Sequence, residues 1–311
     1  MATAMHDSYI KLWSLKGEKL RNLKATFNAT MVNEESSLDI NREKGGSEFK
    51  LLIGHSGPVY GISFSPCSRY LISCSEDGTV RLWNTLTFIC LACYRGHNYP
   101  IWDVDFSPNG TYFVTASHDR TARLWSTEHT SPLRIFAGHI SDVDCVKFHP
   151  NGRYVATGST DKTARLWDIS TGSCVRVFTG HTSSIDRIAV SNNGKLLATA
   201  GSDGHILVWD ILTGRLTHTF EDPQGLGTTY SLTFSYSDES LISGGNDYKI
   251  RIWDVQAPTN NPVPPVSQPA IADTTSKPSH PIKVFKTKRT SILHLKCTPR
   301  NLILAAGSFN P

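Results

Sequence analysis

The chain has 311 residues, 39% of them hydrophobic and 19% charged, a balance that excludes a globally disordered polymer and can supply a large buried core. Its net charge is +4, with Lys and Arg scattered and no run of five like charges, which argues against direct nucleic-acid binding. No uncharged apolar stretch reaches the roughly 18 residues of a membrane-spanning helix and no leader pattern follows Met1, so an intracellular protein is expected, and the odd count of seven cysteines predicts free thiols rather than disulfides.

In chain order, the first recognisable phrase is "DSYIKLW", ending at Trp13. Equivalent phrases end at Trp83, Trp125, Trp167, Trp209 and Trp253, each with an Asp six residues earlier. From Trp83 onward the intervals are 42, 42, 42 and 44 residues, and a Gly-His pair recurs with its His 22 residues before the Asp. Within one period, short runs such as "VDCVKF", "YVATGS" and "ARLWDI" alternate apolar with polar residues and end in turns such as Ser-Pro-Asn-Gly, which reads as four strands. A period of 40 to 45 residues with these markers resembles the WD repeat. One four-stranded unit cannot bury both of its faces, so the units must stack, and radial closure leaves only short, protected edges.

The fold class expected is therefore all-β, a seven-bladed WD-repeat β-propeller with incomplete first and last blades. Residues 1–23 are read as a partial first blade that begins at its second strand, because "ATAMHDSYIKLW" aligns with "VTASHDRTARLW". Residues 24–48 are a polar insertion, and 49–256 hold five complete blades. Residues 257–281, rich in Pro, Ser and Thr, are read as a flexible linker between the sixth and seventh blades, and 282–311 as a partial last blade.

The recurring polar residues are candidates for a structural tetrad in four blades: His55, Ser73, Asp77 and Trp83; His97, Thr115, Asp119 and Trp125; His139, Thr157, Asp161 and Trp167; His181, Thr199, Asp203 and Trp209. An indole N–H only donates, a hydroxyl and a neutral imidazole each donate and accept, and a carboxylate only accepts, so a chain through these four satisfies every buried polar group. Ser, His and Asp also compose a nucleophilic triad, but an enzyme needs one activated nucleophile in one cleft rather than four equivalent copies. No catalytic, cofactor-binding or metal-binding residue is assigned. Cys90 and Cys93 form a lone CxxC without a second pair at zinc spacing, and buried free thiols are expected. In the sixth repeat "EDPQGLG" replaces Gly-His, leaving no tetrad His.

In the first strand of each blade the apolar positions run with a gap of three and then of two, as in Val59, Ile62 and Phe64. That break in alternation predicts a β-bulge, which aims the residue after the first apolar position at the propeller face. Those residues are Tyr60, Trp102, Asp144, Asp186 and Tyr230. With His118, which precedes Asp119 in a turn expected to reach the same face, they form the candidate partner-binding set, and Trp102 stands apart as the only Trp outside the closing phrases.

Longer phrases are more specific than the repeat: "GHSGPVYGISFSP", "GHNYPIWDVDFSP", "PLRIFAGHISDVDCVKFHPNGRYVATGSTDKTARLWD" and the ending "TPRNLILAAGSFNP". They resemble the WD-repeat subunit among the TATA-box-binding-protein-associated factors of TFIID, which fungi share with the SAGA coactivator. The resemblance implies a non-catalytic nuclear scaffold in RNA polymerase II transcription initiation, without a cofactor, whose propeller packs against histone-fold subunits and a HEAT-repeat subunit. An N-terminal LIS1-homology-like motif and helical domain, implied by the same resemblance, have no counterpart in this sequence. An alternative reading is the substrate receptor of a ubiquitin ligase, in which a similar face reads phosphorylated segments through Arg residues; the aromatic and acidic face residues disfavour it.

Overall fold

The computed structural model describes residues 2–4, 8–13, 49–222, 227–256, 280–287, 290–298, 300 and 302–309. Every element among them is a β-strand, arranged in seven antiparallel sheets. Five sheets have four strands each, covering 59–95, 101–137, 143–179, 185–220 and 229–286. The first sheet has three strands, Ala2–Ala4, Tyr9–Trp13 and Phe49–Ile53, and the last has two, Thr290–Cys297 and Ile303–Phe309. Innermost strands of consecutive blades lie side by side in chain order, as a propeller requires.

The hydrophobic core lies between blades, which is why the second strand of each blade is buried on both faces. Ile72, Cys74, Val80, Leu82 and Tyr94 of one blade pack against Ile101, Val104, Phe106, Phe113 and Trp125 of the next. The same pattern joins Val114, Ala116 and Phe136 to Val143, Val146 and Trp167, and Ala156, Leu166 and Phe178 to Ile185, Leu197 and Trp209. No blade has a core of its own, so each depends on its neighbours, as in other repeat arrays.

Side chains also stitch the innermost strands together by hydrogen bonds from the next blade's backbone. Asp103 accepts from the N–H of Val146 at 3.1 Å, Asp105 from that of Phe148 at 3.0 Å, and Ser231 from that of Leu295 at 2.7 Å. Lys147 Nζ neutralises Asp105 at 3.1 Å. In the turns, Gly110 and Gly152 have φ of 77° and 70°, the left-handed region that the Pro-Asn-Gly sequences accommodate without strain.

Two expected boundaries differ from the strand pairing. Phe49–Ile53 pairs with Tyr9–Trp13, so residues 49–53 form the outer strand of the first blade rather than opening the five complete ones. Lys283–Lys286 pairs with Lys249–Asp254, so the stretch 257–281 falls between the third and fourth strands of the sixth blade, not between the sixth and seventh. The five four-stranded blades thus span 59–286. The reason is a phase difference: the sequence repeat closes at its Trp on the third strand, whereas a blade needs one further strand. That strand in the sixth blade, "KVFK", exposes all four side chains and has no burial pattern to reveal it. Residues 14–48 and 257–279, which hold the rest of the partial first blade, the polar insertion and most of the linker, lie outside the described residues.

Candidate functional site

The tetrad residues meet in the same way four times. The His lies in the loop leading into a blade, the hydroxyl residue on the second strand, the Trp on the third, and the Asp in the turn between those two strands. In the blade of residues 143–179, His139 Nδ1 lies 2.8 Å from Asp161 Oδ2, His139 Nε2 lies 2.7 Å from Thr157 Oγ1, and Trp167 Nε1 donates to the same hydroxyl at 2.9 Å. The network assigns the proton to Nδ1, so that Thr157 donates to Nε2 and accepts from the indole. His55, Ser73, Asp77 and Trp83 repeat it with distances of 3.0, 2.7 and 2.9 Å. His97, Thr115, Asp119 and Trp125 give 2.6, 2.7 and 3.0 Å, and His181, Thr199, Asp203 and Trp209 give 3.0, 2.8 and 3.0 Å. Each hydroxyl is engaged on both sides by the indole and the imidazole, and it lies beneath a buried His rather than in an open cleft. The arrangement ties three strands and a loop together.

Burial alone would raise the tetrad carboxyls, but hydrogen bonds outweigh it. His97 and Thr121 hold Asp119 at about 2, and Thr163, the Ile140 N–H and His139 hold Asp161 at about 2. Burial lowers His97 and His139 below their ordinary value of 6.5 despite the adjacent carboxylates, so the fold favours their neutral form. Both shifts have the same sign for stability: at acid pH the unfolded chain binds protons that the folded chain excludes. Stability is expected to begin falling as pH drops through 6.5, and to fall more steeply from 3.8 towards about 2. Urea midpoints measured across that range check this, and Asp161→Asn should be less stable at neutral pH with a shallower acid limb; a midpoint independent of pH down to 3 contradicts it.

The sixth blade solves the same problem with other residues. Trp253 Nε1 donates to Ser243 at 2.9 Å, but instead of an imidazole the blade buries Arg251, whose Nε lies 2.6 Å from Asp222 and whose Nη2 lies 2.5 Å from Asp247. An Arg two residues before the Trp also occurs at Arg81, Arg123 and Arg165, so its presence did not single out this blade; the partner Asp222, 29 residues away, carries no sequence marker.

The strand register slips at the start of six innermost strands, between Val59 and Gly61, Ile101 and Asp103, Val143 and Cys145, Ile185 and Arg187, Thr229 and Ser231, and Ile292 and His294. The residues at the slips are Tyr60, Trp102, Asp144, Asp186 and Tyr230, together with Leu293, which the sequence reading did not include. The Tyr60 and Trp102 rings meet at a tilt of 48° with centroids 4.9 Å apart, and the Trp102 ring meets that of His118 edge-on at 6.3 Å. His118 Nδ1 lies 2.5 Å from Asp142 Oδ2. Asp186 accepts from Ser184 at 3.2 Å and from Ser202 at 2.7 Å. The Tyr230 carbonyl accepts from Arg187 Nε at 2.7 Å. Asp142 and Arg187 were not singled out from sequence, since neither occupies a bulge position.

All seven cysteines are free, with Cys90 and Cys93 half-buried on an outer strand rather than buried. Among the described residues no group of three His, Cys, Asp or Glu side chains is placed to hold a metal ion.

Five copies of one family model, the WD domain, G-beta repeat, match residues 46–84, 88–126, 130–168, 172–210 and 214–254, well over half of the chain. The chain belongs to the WD domain, G-beta repeat family. Its WD-repeat region is similar to transcription initiation factor TFIID subunit 5 of Drosophila melanogaster, 41% identical over 99 residues, which is 30% of this chain and 14% of that protein. It is similar to the SAGA complex/transcription factor TFIID complex subunit Taf5 of Schizosaccharomyces pombe, 46% identical over 94 residues, 30% of this chain and 12% of that protein. A third relative is the TAF5-like RNA polymerase II p300/CBP-associated factor-associated factor 65 kDa subunit 5L of Homo sapiens, 41% identical over 92 residues, 28% of this chain and 16% of that protein. The matched WD-repeat stretch spans about one-seventh of the length of these relatives, 12–16% in each case.

Proposed function

We propose that this chain is a non-catalytic scaffold subunit of a TFIID- or SAGA-type RNA polymerase II transcription complex, acts in the nucleus, and uses its propeller to bind other protein subunits, histone-fold and HEAT-repeat subunits among them. The observation that carries the reading is the identity of 38–46% shared with TFIID subunit 5 and Taf5 proteins of an insect, a microsporidian, a fission yeast and a plant. The geometry supports a binding role in a second way. The four sets of His, Ser or Thr, and Asp are absorbed into the fold, while the bulge residues Tyr60, Trp102, Asp144, Asp186, Tyr230 and Leu293 lie outside the hydrophobic clusters between the blades. Rigid aromatic side chains ringed by polar ones suit a protein interface.

The reading is tested by co-expressing the chain with a histone-fold subunit pair of TFIID and passing the product through size exclusion. Co-elution as one stoichiometric species is expected. A folded chain that elutes apart from the pair contradicts the scaffold role, and selective retention of phosphorylated peptides would favour a ubiquitin-ligase receptor instead.

A further inference from the structure

The face has one region where the local chemistry opposes the charge of the whole molecule. The chain carries a net +4, yet three carboxylates, Asp142, Asp144 and Asp186, converge at the bulges of two adjacent blades. Beside them stand Tyr60, 39% exposed, and Trp102, in a row of ring contacts that runs through His118 to Asp142. Resting on the reading of the chain as a protein-binding scaffold, we propose that this aromatic and acidic mouth is a socket for a Lys or Arg side chain carried by a basic segment of a partner protein.

The three carboxylates outnumber the one guanidinium that lies among them. Arg187 is the nearest guanidinium, and it is committed to backbone carbonyls, donating to that of Asp186 at 2.9 Å and to that of Tyr230 at 2.7 Å. His118 is taken by Asp142. Asp144 is half-buried, and its carboxyl makes no hydrogen bond among the described residues. Burial, then the charges of Asp142 and Asp186, push it up to about 7 against the smaller opposing pull of Arg187 and His118. The aromatic side adds the other half of cation recognition. A ring face attracts an ammonium or guanidinium group within about 6 Å, and Trp and Tyr do so best when the cation is partly desolvated. Trp102 Nε1 is buried and meets no hydrogen-bond acceptor among the described residues. A backbone carbonyl of an incoming segment is the group that would fill that need. An acidic ligand, a nucleic acid or a phosphorylated peptide is repelled by the same three carboxylates.

The test uses the full purified chain and short Gly-Ser peptides bearing either several Lys, several Arg, or Gln at the same positions, followed by calorimetry at low salt. Saturable binding of the Lys and Arg peptides and not of the Gln peptide is expected. Asp144→Asn, which keeps the shape of the side chain, and Tyr60→Ala, which removes an exposed ring, should each weaken binding by about tenfold without lowering the unfolding midpoint. Equal binding of the Gln peptide, no saturable binding, or full binding by both variants overturns the proposal. Because the titration needs no other subunit, its failure is distinguishable from failure of the chain to join a transcription complex.

Discussion

Trp167→Ala is expected to lower the stability of the chain by about 3–5 kcal/mol, the range for truncating a large buried aromatic. The side chain is 2% exposed and lies in the cluster that joins the blades of residues 101–137 and 143–179. Its ring meets Phe136 at 5.7 Å and His139 edge-on at 6.2 Å, and its N–H supplies the Thr157 hydroxyl with a donor. Truncation leaves a cavity between two blades and a buried acceptor without its partner, two costs that add. Trp167→Phe keeps most of the ring and loses only the donor, and its expected cost is smaller, about 1–2 kcal/mol. Denaturant midpoints of the three proteins check both figures, and a near-neutral Trp167→Ala contradicts the structural role of the tetrad.

The second large effect is expected in the sixth blade. Asp222→Ala should cost about 3–5 kcal/mol, because Arg251 is only 1% exposed and would keep its charge while losing the carboxylate on its Nε. Replacing both partners separates the charge term from the packing. The double variant Asp222→Ala with Arg251→Met removes the buried cation and retains the length of the side chain, so most of the loss should be recovered. Asp247, the other carboxylate on Arg251, is less buried and can turn to water. Thermal unfolding of the single and double variants decides the matter. A double variant as unstable as the sum of its parts contradicts the account of an ion pair standing where other blades carry His.

These effects show which parts of the molecule can be read from sequence. The tetrads are legible because each position demands a particular donor and acceptor chemistry, and the turns between strands keep the spacing constant from Trp83 to Trp209. The bulges are legible because one inserted residue shifts the apolar pattern of Val59, Ile62 and Phe64 by one, and the strand register slips at that point. The outer strands are not. Lys283–Lys286 exposes all its side chains, so no burial pattern marks it, and pairing with the strand that ends at Asp254 depends on geometry across the intervening stretch. Leu293 was missed because its strand belongs to a repeat without an Asp or Trp marker. Asp142 and Asp222 were missed for a different reason: each matters only through a partner brought from elsewhere in the chain, His118 in one case and Arg251 in the other. Side-chain pairing of that kind has no period to reveal it.

The most direct test of the scaffold reading is affinity purification from nuclear extract with this chain as bait, followed by mass spectrometry of the proteins retained. Recovery of histone-fold and other subunits of TFIID or SAGA in stoichiometric amounts is the predicted result. Recovery of cullin-type ligase components, or of no specific protein by a folded bait, contradicts it.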